Sequence, residues 1–335
     1  MSRIAHLLTR VLAQPERAAE VEDWTALLAC ARAESLAGAL AMRLEGVSVP
    51  TGVERLLEDA RRNSETVRRE ALWEAEMARR ALAPLGVPVV LLKGTAYAAA
   101  DLSAGRGRSI GDLDILVPRA ALAKVEQALL AAGWEWVKED PYDDLYYRRW
   151  MHELPPLIHR ERDRMIDVHH TILPLTARPK PDAAALVEDS VPLADGLRIL
   201  PPADMVVHAC AHLFADGDLA GGLRNLWDID RLLREFAAAD AGFWERVQER
   251  AERHGLAGAV RRAARLGRHL YGTPVPEAWR GRDGADPLFR ARLLARDGWG
   301  RGRRPVLRFG FYVRSHWLRM PPLMLARHLL AKARR

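Results

Sequence analysis

The sequence has little cysteine and no long apolar run, and both absences narrow the classes of protein to consider. Cys30 and Cys210 are the only cysteines in 335 residues. Two cysteines so far apart in sequence suit a reducing cytoplasm and argue against a disulfide framework, and no Cys/His cluster has the close spacing of a structural zinc site. No run approaches the ~20 apolar residues that cross a bilayer, and the N-terminus lacks the residue order of a signal peptide. We therefore expect a cytoplasmic protein.

Positive charge is unevenly distributed and gathers at the C-terminal end. The net charge is +7, and thirteen Lys/Arg residues lie between Arg290 and Arg335 against a single acid, Asp297. The rest of the chain is acid-rich, so the overall charge describes mainly this tail. Aromatic residues stand among its arginines, namely Trp299, Phe309, Phe311, Tyr312 and Trp317. Such a mixture can bind nucleic acid, make weak contact with an anionic membrane surface, or only form a packing layer.

Hydrophobic patterning divides the chain into three segments, although a prior of ~150 residues per domain suggests about two domains. Residues 1–83 have helical periodicity, and neither Gly nor Pro interrupts Leu56–Leu82. Residues 84–200 alternate short apolar runs with Gly and Pro, which favours a mixed α/β core. Residues 201–335 return to helical periodicity and end in the basic Arg/Trp-rich tail. We predict an α/β (α+β) fold in which helical segments flank a small mixed sheet.

The individual elements follow from runs of apolar residues and from the residues that interrupt them. Strands are predicted at Val87–Leu92, Leu113–Val117, Trp134–Val137, Leu145–Trp150, Leu157–His159 and Met165–His169. Helices are predicted at Thr95–Leu102 and Pro118–Ala132, then beyond Pro202 as far as Tyr271 with Gly272 as the stop, and finally at Leu323–Ala333.

Two carboxylates stand at the start of the second predicted strand, in Asp112-Leu113-Asp114. Side chains alternate across a strand, so both carboxylates point to one face, about 6.6 Å apart along it. Like charges held this way repel each other unless a cation lies between them. Oxygen ligands in this arrangement suit Mg²⁺, which binds nucleotide phosphates through one or two carboxylates and water.

The preceding turn, Lys93-Gly94-Thr95, has the composition of a phosphate-binding turn. A strand ends there, a glycine permits close approach of the backbone, a hydroxyl follows, and a helix begins with free N–H groups that attract phosphate. Lys93 can neutralise phosphate or simply cap the end of its strand. Arg108, just before the carboxylates, can clamp phosphate or form a salt bridge to them.

A third carboxylate lies on the later strand, Met165-Ile166-Asp167-Val168-His169. Alternation places Asp167 and His169 on one face of that strand. If this strand neighbours the one that carries Asp114, Asp167 completes a site of three carboxylates, and His169 lines it.

Two other patterns are better explained as structure than as chemistry. Asp228 and Asp230 repeat the Asp-x-Asp spelling, but inside a helical pattern, where residues two apart do not face one another. We interpret them as helix-capping or arginine-pairing residues. His208 and His212 share a helix face, but no Glu follows His208 as a metalloprotease helix requires, so a buried or domain-facing pair is favoured over a zinc site.

Residues 90–117 resemble the nucleotidyltransferase superfamily of DNA polymerase β. The likeness lies in Val-Leu-Leu-Lys-Gly-Thr, then in Arg108 and Asp112-Leu113-Asp114-Ile115-Leu116-Val117. The chain is most similar to the bacterial uncharacterised nucleotidyltransferase family, which also has a later Asp-Leu-His strand, matched here by Asp167-Val168-His169. That family also has a helical part that resembles His208–His212 and Leu226–Asp230. The resemblance covers about residues 25–235 and implies a polymerase β-like core.

The resemblance also implies roles for the residues. Gly94 and Thr95 would hold nucleotide phosphates. Asp112 and Asp114 would bind Mg²⁺ (or Mn²⁺) with the nucleotide, and Asp167 would bind a second ion and help to activate an acceptor hydroxyl, with the two ions ~4 Å apart. Thr95 stands where the superfamily more often has Ser, and the loop from Gly94 to Asp112 is longer than in many members.

The function expected on this basis is transfer of a nucleoside monophosphate from an NTP to a hydroxyl acceptor. The acceptor could be a small molecule, a peptide, a protein or RNA, and the sequence does not specify the NTP. Two rival hypotheses are an inactive nucleotide-binding protein of the same fold, and an RNA-directed enzyme or RNA-binding protein, which the basic tail favours. An intact set of three carboxylates disfavours the inactive protein.

Overall fold

The structure is a computed structural model that describes residues 3–138 and 140–319. In these residues the α-helices are α1 Arg3–Ala13, α2 Trp24–Ala33, α3 Ala37–Arg43, α4 Thr51–Leu82, α5 Lys93–Ala99, α6 Leu122–Ala131, α7 Pro141–Trp150, α8 Ala183–Glu188, α9 Pro202–Ala211, α10 Gly222–Ala239, α11 Phe243–Arg253, α12 Ala257–Tyr271, α13 Asp286–Leu293 and α14 Pro305–Arg319. The helix predicted at Leu323–Ala333 lies outside the described residues.

One long helix links the N-terminal helices to the rest of the fold. Helix α4 is 32 residues long, as the uninterrupted run of helix-forming residues predicts. It packs against α3 near its beginning and against α5 and α6 further along. Its buried side chains lie on one stripe and include Leu57, Ala75, Ala78 and Leu82, so the helix presents one apolar face to its neighbours.

The sheet is mixed, as the sequence predicts, and has seven strands in the described residues. They are β1 Val90–Leu91, β2 Leu113–Leu116, β3 Trp134–Trp136, β4 Leu157–His159, β5 Met165–His169, β6 Val191–Pro192 and β7 Arg198–Ile199. Their spatial order is β3-β4-β5-β2-β1-β7-β6. Strands β2 and β5 are therefore central neighbours although about fifty residues separate them, and they run parallel to each other.

Five of the predicted strands occur, and one prediction is wrong. Leu145–Trp150 belongs to helix α7, Pro141–Trp150, rather than to a strand. Its aromatic residues favour strands by propensity, but propensity is weak beside tertiary contacts. Asp144 and Arg148 form an ion pair of 2.7 Å one helical turn apart, and Arg148 also binds Glu126 of α6 at 2.8 Å. These contacts stabilise the helix where the sequence pattern indicates a strand.

The C-terminal helices pack together and contribute to the same hydrophobic core. Helix α10 packs against α9 and α12, and α12 ends as predicted at Tyr271, because Gly272 adopts the left-handed conformation (φ 69°) that terminates helices. The buried hydrophobic cluster runs without a break from Leu8 in α1 through the sheet to Phe311 in α14. Among the described helices, none has the length and apolar character needed to span a membrane.

The loop before β2 is held by an unusually close backbone contact. Gly107 has a φ of 69°, which favours glycine. A Cβ on Gly107 would lie 2.4 Å from the carbonyl oxygen of Gly38 in α3, and one on Gly38 would lie 2.3 Å from that of Gly107. The two glycines therefore let the loop that leads to Asp112 rest directly on an N-terminal helix.

Candidate active site

The register of two parallel strands brings the predicted carboxylates together. Asp114 of β2 and Asp167 of β5 are directly paired positions, so their side chains share one face of the sheet. Asp112 precedes β2 and joins them from the solvent side. The three residues offer carboxylate oxygens that all lie within 4.8 Å of one another. The predicted convergence of Asp112, Asp114 and Asp167 is thus present in the fold.

Asp114 is the most deeply placed carboxylate and is ionised. Only 3% of its surface is exposed. Its Oδ1 accepts a hydrogen bond from Lys93 Nζ at 2.6 Å and lies 3.0 Å from His169 Nε2. Burial alone would raise the pKa of Asp114, but the charge of Lys93 and the hydrogen bond from His169 hold that pKa well below its usual range. The group can therefore serve as an anionic ligand at any physiological pH.

Asp167 has the opposite electrostatic character. Burial, followed by the charges of Glu153 and Asp114, raises the pKa of Asp167 to about 7. The carboxylates are thus crowded enough for one of them to hold a proton near neutral pH. A divalent cation would relieve this repulsion, and a set of oxygen donors alone suits Mg²⁺ or Mn²⁺. The residues present fit such an ion.

The Lys93-Gly94-Thr95 turn lies beside these carboxylates. Lys93 has a φ of 47°, an uncommon conformation for a residue other than glycine, and it begins helix α5. Burial opposes the charge of Lys93, but the charge of Asp114 raises its pKa overall, so the ammonium stays protonated next to the site. Backbone strain of this kind is found where surrounding structure fixes a functional group.

Gly94 and Thr95 have different surroundings. A Cβ on Gly94 would lie 1.6 Å from Arg108 Nη1, so the absence of a side chain admits the guanidinium. Thr95 is 1% exposed, and its hydroxyl has no hydrogen-bond partner in the described part of the chain. Lys93 and Gly94 line a cavity beside Asp114, whereas Thr95 lines a smaller cavity next to Asp112.

Arg108 has a partner that the local sequence does not predict. Its Nε donates a hydrogen bond to Asp228 Oδ2 of α10 at 2.9 Å. The sequence suggests a salt bridge from Arg108 to Asp112 or Asp114, but its partner is Asp228. Both side chains are buried, at 8% and 5% exposure. Burial works against the charge of Arg108, but the Asp228 carboxylate raises the pKa of Arg108 overall. The pair ties the loop before β2 to the C-terminal helices.

A polar cavity of about 280 Å³ opens beside the carboxylates. It is lined by Ser35, Lys93, Gly94, Arg108, Ser109, Ile110, Gly111, Asp112, Asp114, His212 and Arg224. Arg224 lies 3.5 Å from Asp228, so Asp228 serves two guanidinium groups and this wall keeps a positive charge. Burial and the nearby charge of Arg108 lower the pKa of Arg224. An anion in the cavity would offset this unfavourable charge.

Sequence reasoning missed several residues of this region. Glu153 lies opposite His169 across an isolated antiparallel bridge, with its Oε2 3.4 Å from His169 Nδ1. Arg224 and His212 reach the cavity from the C-terminal helical region. The four-residue spacing of Arg224 and Asp228 was a usable helical signal. No sequence pattern places Glu153 near His169, because the segment just before it, Leu145–Trp150, is predicted as a strand but is a helix.

The second Asp-x-Asp sequence is structural, as predicted. Asp228 and Asp230 lie on α10 and are both buried. Asp228 pairs with Arg108, whereas Asp230 pairs with Arg234 at 2.9 Å and accepts a hydrogen bond from Thr273. Since the two carboxylates have separate partners, they do not form a common ligand set.

Adjacent strands of the mixed sheet thus carry Asp114 and Asp167, and Asp112 joins them beside the Lys93-Gly94-Thr95 turn, in a mixed α/β fold of the nucleotidyltransferase type. A family model described as uncharacterised nucleotidyltransferase matches residues 20–272, and the chain belongs to that family. It is accordingly a transferase of phosphorus-containing groups. A search for similar curated proteins found no match.

Proposed function

We propose that the chain transfers a nucleoside monophosphate from an NTP to the hydroxyl group of an acceptor, in a reaction that depends on Mg²⁺ or Mn²⁺. The observation that carries this proposal is the cluster of Asp112, Asp114 and Asp167, whose oxygens lie within 4.8 Å of one another. These residues would hold the ions. Bound divalent ions would supply charge neutralisation for the attacking and leaving oxygens of in-line transfer.

The cavity supports an anionic substrate of this kind. Lys93, Arg108 and Arg224 line it together with the backbone of Gly94. Asp228 is shared between the two arginines, so an incoming triphosphate would add the negative charge that this wall lacks. Guanidinium groups bind phosphate oxygens in a fixed, often bidentate, geometry. We assign Lys93, Gly94 and Arg108 to nucleotide binding, together with Thr95, which lines the smaller neighbouring cavity.

The remaining steps involve proton transfer and orientation. The acceptor oxygen forms a bond to the α-phosphorus, the bond from that phosphorus to the bridging oxygen breaks, and pyrophosphate leaves. Asp167 would help to activate the acceptor hydroxyl and take up its proton, because its carboxylate belongs to the cluster that would hold the ions. Lys93 and His169 hold Asp114 in one orientation through its Oδ1. His169 acts here as a positioning residue.

The test is incubation of the protein with each α-labelled NTP and Mg²⁺, first alone and then with separate pools of small molecules, peptides, proteins and RNA. We expect release of pyrophosphate and a labelled product with one pool, and neither with Asp114→Asn. Nucleotide binding that requires Mg²⁺ but gives no product in any pool would favour an inactive nucleotide-binding protein. Salt-sensitive RNA binding would favour an RNA-directed enzyme.

A further inference from the structure

A second group of potential metal ligands lies beside the carboxylate cluster. His152, Glu153 and His169 offer one ligand atom each within 4.8 Å of one another. His152 and His169 are buried, and the Nδ1 atoms of both have no hydrogen-bond partner among the described residues. Buried imidazole nitrogens are usually satisfied, so the unpartnered Nδ1 of His169, which faces the Glu153 carboxylate, requires an explanation.

The spacing of the ligand atoms fits a single ion better than a hydrogen-bond network. Glu153 Oε2 lies 3.4 Å from His169 Nδ1 and 3.6 Å from His152 Nε2. Hydrogen bonds to nitrogen centre on about 2.9 Å, so both separations are long. Ligands at ~2.1 Å from a tetrahedral zinc ion are about 3.4 Å apart. The two separations are therefore those of neighbouring ligands around one ion.

The other nitrogen of His169 supports the same assignment. Its Nε2 lies 3.0 Å from Asp114 Oδ1, and a proton on Nε2 leaves Nδ1 with a lone pair directed towards Glu153. Metal-binding histidines commonly donate their second ring N–H to a carboxylate, which fixes the tautomer and the orientation of the ring. Asp114 stands in that position for His169.

We propose that His152, Glu153 and His169 form a metal site separate from the carboxylate cluster, and that it takes a divalent transition metal of the Zn²⁺ type. Two imidazoles and one carboxylate suit such an ion and leave a coordination position open, whereas Mg²⁺ prefers oxygen ligands alone. The assignment of the site does not require turnover. One consequence does rest on the proposed function: the ion would orient Asp114 through His169, so its loading would affect Mg²⁺ binding at the neighbouring site.

The test is equilibrium titration of the full-length protein with Zn²⁺ in saturating Mg²⁺, which occupies the oxygen-only site. We expect one Zn²⁺ per chain, with affinity at least about 100-fold weaker in His152→Gln. Glu153→Gln repeats the comparison if His152→Gln does not fold. His170→Gln is the matched control, because this adjacent ring lines a different cavity, beside Pro118 and Leu173.

Two further variants separate this site from its neighbours. Asp167→Asn should keep the Zn²⁺ stoichiometry while it loses Mg²⁺ binding, which shows that the two sites are distinct whether or not the protein turns over NTP. Unchanged Zn²⁺ affinity in both His152→Gln and Glu153→Gln would overturn the proposal. So would loss of the bound Zn²⁺ on His208→Gln alone, since the ion would then belong to α9.

Discussion

The guanidinium of Arg108 meets the carboxylate of Asp228 at 2.9 Å, across 120 residues of sequence and with both groups buried. This pair joins the loop before Asp112 to helix α10. It also places a cation on the wall of the candidate nucleotide cavity without neutralising Asp112 or Asp114.

Breaking this pair should lower stability and spare metal binding. Asp228→Asn leaves the Arg108 charge buried without a full partner, which costs about 3–5 kcal/mol of unfolding free energy. Urea denaturation measures that loss, and Mn²⁺ titration should give the same affinity as the native chain. Arg108→Met and Arg224→Met combined with Asp228→Leu should recover much of the stability, because no charge of this buried group is then left unpaired. Loss of Mn²⁺ binding in folded Asp228→Asn would mean that the wrong Asp-x-Asp had been assigned.

Two aspartates of the carboxylate cluster should respond in opposite ways when metal is removed. In EDTA at pH 8, Asp167→Asn should raise stability by about 1–3 kcal/mol, because it removes a crowded charge. Asp114→Asn should lower stability, because it breaks the 2.6 Å contact with Lys93. Thermal melts in EDTA, in Mg²⁺, and in Mg²⁺ with NTP would compare them.

Both variants, and Asp112→Asn, should lose the stabilisation that metal and nucleotide give the native chain, together with nucleotidyl transfer. Equal destabilisation of Asp167→Asn and Asp114→Asn in EDTA would contradict the electrostatic account of the cluster.

Metal binding should depend on pH through Asp167. The pKa of its carboxyl group rises from 3.8 to about 7 in the folded chain, so below pH 7 an incoming ion must displace a proton. Apparent affinity for Mg²⁺ should rise about tenfold per pH unit up to pH 7 and then level off. Calorimetry in two buffers of different ionisation enthalpy would count the proton released.

The raised pKa of Asp167 also determines how the free energy of unfolding changes with pH. Without metal, the folded chain keeps this proton to higher pH than the unfolded chain does, so stability contributed by Asp167 is complete below pH 3.8 and declines as pH rises through about 7. Asp167→Asn should remove this decline from the pH dependence of unfolding in EDTA, and an unchanged profile would refute the assignment.

Gly94 should tolerate no side chain without a loss of substrate affinity. In Gly94→Ala the new Cβ would lie 1.6 Å from Arg108 Nη1, so the guanidinium must move away from the cavity. We expect KM for the NTP to rise about tenfold, or 1.4 kcal/mol, with a smaller change in kcat. Gly258→Ala is the control, since a Cβ at this other helical glycine meets nothing within 4 Å. Unchanged KM in Gly94→Ala would remove Arg108 from nucleotide binding.

The parts of the fold that the sequence predicts are those governed by local periodicity. Strand β5 has the predicted bounds, and β2 differs from its prediction by one residue, because continuous or alternating apolar residues specify a buried strand. The edge strand β6 and its neighbour β7 are two residues each and leave no periodic signal. Helix α7 is stabilised by ion pairs of Arg148, one of them with the distant Glu126. Secondary-structure propensities of single residues do not include such contacts.

In the candidate site, too, the sequence predicts the residues that follow a local pattern and misses those that distant contacts bring in. Asp112, Asp114 and Asp167 could be identified because alternation within a strand fixes which face a side chain takes. The partner of Arg108 could not, since Asp228 lies 120 residues away and nothing local indicates that α10 meets this loop. Glu153 joins the cluster through an isolated bridge to His169, a contact set by the path of the chain after α7.

The backbone contact between Gly38 and Gly107 has an evolutionary consequence. Since a methyl group at either position would overlap the other's carbonyl oxygen, neither glycine can be replaced while the loop keeps its path, and replacing one gives no freedom to the other. Lineages that retain this loop should therefore retain both glycines together, whereas lineages that shorten the loop should lose the constraint at both positions at once. The pair can thus serve as a marker that sorts members of the family by loop architecture before any of their structures is known.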